Sequence, residues 1–154
     1  MTEIKKAMSH MTQGTYVIGT KKGKTENLMT AAWLSQVSSN PPSLVVAVGK
    51  THLTAEYIAQ TKKFTVSMLA EEQKGVARRC GTVSGRDADK VSREQISHDS
   101  AGLPLIQGAA AHVSCILTKS IDIGDHILFV GEVVEGVAFG KTNMIYNMET
   151  IMNG

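Results

Sequence analysis

Apolar and polar positions along the chain follow mostly the period of strands rather than helices. Thr15 to Thr20 is rich in β-branched and aromatic residues and ends in the polar turn Lys21-Lys22-Gly23-Lys24. Leu28 to Ser38 predicts a second strand, which Asn40-Pro41-Pro42 stops because proline cannot donate to a ladder. Leu44 to Val48 and Phe64 to Leu69 predict two further strands. Helical spacing is rarer. Ile4 to Met11 predicts one or two turns, Leu53 to about Ala59 a helix, and a short helix after Glu71 carries Val76 and Ala77. Gly81 to Pro104 is polar and predicted irregular for most of its length; a loop beyond roughly 12–15 residues in a compact domain is usually functional or disordered. Ala109 to Asp122 and His126 to Phe139 predict two long strands, joined as a hairpin through Ile123-Gly124-Asp125. About six strands and few helices predict an antiparallel barrel or sandwich.

The strand faces carry a second message. In Leu28 to Ser38 one face is Met29, Ala31, Trp33, Ser35 and Val37, and the other is Leu28, Thr30, Ala32, Leu34 and Gln36. Ile127-Leu128-Phe129-Val130 is likewise apolar on both sides. A strand with one solvated face would alternate cleanly. The outside of the barrel is therefore expected to be covered, either by a second copy of the chain in a homodimer or by helices of the same chain.

Composition narrows the classes. With 154 residues, 42% apolar and 19% charged, the chain suits a single domain spanning 1–154 with its own core. A net charge of +2, with no basic stripe interleaved with aromatics, argues against nucleic acid. Met1-Thr2-Glu3-Ile4-Lys5-Lys6 is no signal peptide, and no run approaches the ~18 apolar residues of a membrane span. A cytoplasmic protein is expected, with Cys80 and Cys115 as reduced, buried small hydrophobes. Met8, Met11, Met144, Met148 and Met152 cluster at the two ends, where soft side chains pack the termini onto the body or onto a partner, or simply fill gaps in the core.

Familiar catalytic signatures are missing. There is no Gly-x-Gly-x-x-Gly after a strand, no P-loop and no His-Glu-x-x-His, and the five histidines never fall at metal-ligand spacing. Two anion-friendly segments remain. Lys50-Thr51-His52-Leu53-Thr54 joins a buried strand to a helix start, where free N–H groups favour a phosphate; the alternative is Thr51 as a plain N-cap beside a solvated Lys50. Cys80 to Lys90 supplies small residues for close backbone approach, with Arg86 and Lys90 as cations; its alternative is a charged loop.

Met29-Thr30-Ala31-Ala32-Trp33-Leu34-Ser35-Gln36-Val37-Ser38, followed by Pro41-Pro42 and an apolar strand, resembles the signature of the flavin reductase-like FMN-binding split barrels. Lys50 to Thr54, Phe64 to Leu69, Ser84-Gly85-Arg86-Asp87 with Lys90, Gly102-Leu103-Pro104-Leu105 and Gly124 to Val133 continue it in order. The resemblance covers about Gly14 to Val137 and extends to archaeal ferric reductases, flavoredoxins and the flavin reductase domains of diflavin flavoproteins. It implies a mainly β fold, a six-stranded antiparallel Greek-key split β-barrel with a few short helices, dimeric.

The resemblance also implies roles. Met29, Thr30, Ala31, Ala32, Trp33 and Gln36 would run past the isoalloxazine ring, with Thr30 and Ala31 meeting its polar edge and Val37 and Ser38 near the ribityl chain. Lys50, Thr51, His52 and Thr54 would bind the FMN phosphate, and Ser84, Gly85 and Lys90 would close over it. His126 matches a histidine near the flavin where nicotinamide stacks, although a turn-end histidine bonded to backbone fits the same position. Trp33 fits a core or interface aromatic as well as a flavin contact. The implied activity is NADH- or NADPH-driven reduction of FMN, with electrons passed to free flavin, ferric complexes or another acceptor. The alternative is a flavoredoxin-like carrier with bound FMN and a protein redox partner. The last residues, Tyr146 to Gly154, are fewer than relatives use to wall the nicotinamide site, so an open flavin edge is expected.

Overall fold

A computed structural model describes residues 2–153, apart from the side chains of Thr150, Met152 and Asn153. Its elements run α1 (Glu3–Met8), β1 (Tyr16–Lys22), β2 (Thr25–Ala31), β3 (Leu34–Ser39), β4 (Pro42–Gly49), α2 (Leu53–Thr61), β5 (Lys63–Met68) and α3 (Lys74–Gly81). A 3₁₀ turn (Val91–Arg93), β6 (Ile96–His98), β7 (Pro104–Ile106), β8 (Ala111–Ile123), β9 (His126–Ala138) and α4 (Met148–Asn153) complete it.

Seven strands form one antiparallel sheet in the order β2-β1-β5-β8-β9-β4-β3, and β6 pairs with β7 in a two-stranded sheet. The sheet curls around a single cluster drawn from β1, β2, β4, β5, β8, β9 and α2, with Ile18, Met29, Val46, Ile58, Phe64 and Phe129 at its centre. Phe64 and Phe129 are fully buried, each contributing roughly 2–3 kcal/mol through area removed from water. The β8–β9 hairpin turns through Gly124-Asp125, and Gly124 takes the φ of +54° that such a tight connection demands. Bulges at Ser114/Cys115 and Leu117/Lys119 bend its long arms around the barrel.

One expectation needs correction. Leu28 to Ser38 is not one strand: Ala32 and Trp33 interrupt it, and the two halves become the outermost strands at opposite ends of the order. The sheet therefore has seven strands rather than six. Gly81 to Pro104 is irregular for most of its length, as expected, and holds the 3₁₀ turn and β6 as short regular pieces.

The two-sided apolar pattern is partly satisfied within the chain. Val17 and Leu28 face away from the barrel core into a second cluster with Ala77 and Cys80 of α3 and Ile151 of α4. Helices thus cover the barrel over β1 and β2. Of the terminal methionines, Met144 is buried, Met8, Met11 and Met148 are exposed, and the Met152 side chain lies outside the described residues. No helix among the described residues is long and apolar enough to cross a membrane.

Candidate functional site

α2 begins where β4 leaves the sheet. Its N-cap is His52 rather than Thr51, and neither side chain caps the helix. His52 N–H bonds Gly49 C=O at 3.1 Å, and the N–H groups of Ala55 and Glu56 return to His52 C=O. Among the described residues, the N–H groups of Leu53 and Thr54 have no partner in the chain. They point into the positive end of the helix field, the arrangement that receives anions.

A cavity of about 160 Å³ opens there. One wall is β2, through Asn27, Met29 and Thr30; another is His52, Leu53 and Thr54; the third is the end of α3 and its loop, Cys80 to Gly85, with Lys90. Asn27 Nδ2 donates to Thr54 Oγ1 at 2.9 Å, tying strand to helix, and Thr30 Oγ1 donates to Ala77 C=O at 2.7 Å, tying strand to α3. The Gly85 backbone sits so close to Asn27 that a Cβ there would collide with Oδ1. Arg86 points elsewhere, its guanidinium reaching Thr51 C=O at 3.2 Å and Glu56 at 3.3 Å, which pins the loop over the start of α2.

Lys90 is the unusual member. It is only 5% exposed, and its ammonium donates to Cys80 C=O at 3.0 Å. No carboxylate pairs with it among the described residues. Burial pushes its pKa below the ordinary lysine value. A buried cation answered only by a neutral carbonyl is costly. The unpaired α2 amides and this ammonium share one cavity, so the site fits a phosphate on its own chemistry, and an anion there would relieve both. Cys80, in the same wall, has its thiol pushed up to about 12, chiefly by burial, and acts as packing rather than as a nucleophile. Cys115 is also buried and pushed up to about 12 by the same cause.

From this end the site extends toward the barrel rim. His52 Nδ1 lies 3.0 Å from Met29 Sδ, and its pKa is lowered first by burial, then by the nearby charges of Lys90 and His126. His126 opens β9 opposite Gly49; its ring centroid is 4.7 Å from that of Trp33, and its Nδ1 is 2.7 Å from Asp125 Oδ1. Trp33 is 54% exposed at the edge of an apolar groove of about 990 Å³ formed with Ile4, Met8, Met11, Tyr146 and Met148.

The structure thus gathers Met29, Thr30, His52, Thr54, Ser84, Gly85 and Lys90 around one cavity, and packs the Trp33 and His126 rings against each other at a tilt of 39°. Ala31 is buried in the barrel core and Ala32 is half-buried in the link to β3. Gln36, Val37 and Ser38 stand on β3, outside the cavity lining, with Gln36 Nε2 donating to Ser38 C=O at 3.1 Å across a bulge. Lys50 also lies outside the lining, 2.7 Å from Asp122, and Thr51 meets Arg86 through its carbonyl. Leu53 and Cys80 to Val83, from the two anion-friendly segments, also line the cavity, and Asn27 lines it from outside both. Asn27 carried a usable signal, a polar residue on the strand face that also bears the buried Met29 and Ala31.

The barrel rim thus carries an anion-friendly cavity at one end and the tilted Trp33–His126 ring pair at the other. The model of the flavin reductase like domain matches residues 8–152. The high molecular weight rubredoxin of Moorella thermoacetica is 33% identical over 132 residues, 84% of this chain; the chain spans 58% of that relative's length. The NADH:FAD oxidoreductase of Streptomyces globisporus superposes with a TM-score of 0.88 at 26% identity, over 94% of this chain and 87% of that one. The FMN-binding protein of Thermus thermophilus gives 0.80 at 26%, over 84% and 73%. The chain belongs to the flavin reductase-like family.

Proposed function

We propose that the chain is a single flavin-binding domain that holds FMN across the rim and reduces it with NADH or NADPH, passing electrons to free flavin, ferric complexes or another acceptor. The observation that carries this is Lys90, a buried ammonium without a carboxylate, facing the unpaired amides of α2 across one cavity. The cavity of about 160 Å³, lined by the start of α2, Ser84, Gly85 and Lys90, supports a phosphoryl group at this end of the ligand. Thr54, Ser84, Gly85 and Lys90 would hold the phosphate. Thr30 and Ala31 lie on an outer strand, half of whose backbone groups face away from β1 and are free to meet a ring edge. His126, steadied by Trp33 and Asp125, would meet the nicotinamide.

The flavin, when bound, supplies the hydride chemistry. The protein's part is to orient the two rings and hold negative charge near backbone donors. We also infer a homodimer, supported by the exposed apolar side chains of Trp33, Val134, Val137 and Phe139.

The test is the visible spectrum of the purified protein with added FMN, followed by NADH or NADPH without oxygen. A bound flavin band that bleaches within seconds is expected. A bound band bleached only by a reduced protein partner would assign the chain as a carrier, and failure to bind FMN would overturn the reading. Sedimentation showing only 16.5 kDa species would overturn the dimer.

A further inference from the structure

Lys90 is not positioned by its own contact alone. It opens the 3₁₀ turn Val91–Arg93, which Glu94 closes. The Asp89 carboxylate accepts from the N–H groups of Val91 and Ser92 at 3.1 and 3.3 Å, and Glu94 N–H returns to Val91 C=O at 3.2 Å. A turn this short carries Lys90 and Glu94 as one piece. Both ends of the piece are fastened to the last turn of α3. Lys90 bonds Cys80 C=O; Glu94 receives Nε and Nη2 of the adjacent Arg79 at 2.7 and 2.8 Å.

That second fastening is buried on one side: Arg79 keeps 43% of its side chain exposed, and the carboxylate it holds is withdrawn from water. The Glu94 side chain is 2% exposed, and the two donors approach as a fork, one to each carboxylate oxygen. Removing a carboxylate from water is costly, and neither Arg79 nor Glu94 lines the phosphate cavity. The pair's position is explained by what it holds: Val91, between its two anchored neighbours, packs into the second core.

We infer that Arg79 and Glu94 are positioning residues that fix the 3₁₀ turn so that Lys90 is already placed for the flavin phosphate, and that this pair sets how long the cofactor stays bound. The inference rests on the FMN reading above. A flexible lysine otherwise loses its side-chain freedom at the moment of binding, and that loss weakens the complex. The pair is itself neutral, so removing both charges leaves the field at the phosphate nearly unchanged, and what is lost is placement.

The experiment compares FMN with riboflavin, which lacks the phosphate, by fluorescence titration and stopped-flow dissociation. Arg79→Met combined with Glu94→Met avoids leaving either charge buried alone. FMN is expected to bind roughly tenfold more weakly and to leave correspondingly faster, while riboflavin affinity stays within about twofold. Adding Lys90→Met to the double variant is expected to cost several-fold less than Lys90→Met costs in the wild type, since part of its contact is already lost. Arg79→Lys, which keeps the charge and loses the fork, is the second variant and is expected to shift FMN alone, by about threefold. Parallel losses for both flavins, an unchanged FMN affinity, or full additivity with Lys90→Met would overturn the positioning role while leaving FMN binding intact. Wild-type protein that binds neither flavin would overturn the underlying reading as well.

Discussion

Replacing Lys90 by methionine separates the cost of the site from its use. In the ligand-free protein the ammonium is nine-tenths buried with one carbonyl partner, which returns roughly 1.5–3 kcal/mol as a charged hydrogen bond against a desolvation penalty of several kcal/mol. Methionine keeps the apolar stem packed and removes the penalty, leaving Cys80 C=O to water in the cavity. We expect the variant to be more stable than wild type by about 1 kcal/mol, which for a chain of this size raises Tm by roughly 2–4 °C. The pH dependence carries a sign. Because burial lowers the Lys90 pKa in the folded state, the unfolded chain binds more protons as pH climbs toward 10.5. Wild-type stability therefore has an alkaline gain that Lys90→Met lacks. With FMN the order reverses, since losing a charged contact to the phosphate weakens binding by roughly 10- to 100-fold. Calorimetry of the apoprotein and fluorescence titration of FMN check the two halves. A variant that melts below wild type and binds FMN equally well would refute the reasoning.

Other substitutions probe different parts of the same architecture. Gly85→Ala places a methyl against Asn27 Oδ1, so the Asn27–Thr54 bond must break; we expect a fold intact but about 1 kcal/mol weaker, and FMN bound several-fold less tightly by titration. Gly131→Ala would bring a Cβ within 2.7 Å of the Phe64 ring and 2.8 Å of Cys115 Cβ, overpacking the barrel by about 1–3 kcal/mol, which a urea midpoint will register. His52 has a lowered pKa, so apoprotein stability is complete above the ordinary imidazole value of 6.5 and falls as pH drops through the folded-state value. Part of that acid slope should vanish in His52→Gln, measured as Tm between pH 7 and 5.

Where the chain's pattern is long and uninterrupted, sequence and structure agree. The β8–β9 hairpin has two long runs rich in β-branched and apolar residues and a Gly-Asp turn, and α2 follows a buried strand directly, so local chemistry defines both. The break at Ala32-Trp33 left no such mark. Neither residue is glycine or proline, both suit a strand, and the interruption comes from the need to carry the chain from one end of the sheet order to the other. β6 is only three residues long, too short for periodicity, and exists because β7 lies beside it. The site divides the same way. Thr54 and His52 follow from a helix start, and Lys90 from a cation in a small-residue loop. Asn27 and the end of α3 join them only through the pairing of β1 with β2 and the packing of α3, contacts between residues far apart in sequence. Lys50 looked like a phosphate ligand beside Thr51, but Asp122 from the distant hairpin claims it.

The two-residue link at Ala32-Trp33 has a consequence for how the protein answers its ligand. Within the seven-stranded sheet β2 and β3 each have a single hydrogen-bonded neighbour, so they are the strands of that sheet whose amides open most readily to solvent exchange. That link is the covalent bridge between them, and the cavity wall at Met29 and Thr30 lies a few residues before it. A ligand anchored at α2 and lying along β2 toward Trp33 spans this seam and adds contacts across it where backbone pairing stops. Occupancy would then be read in the outer strands of the sheet, as slower amide exchange, more clearly than in the barrel core that is already closed.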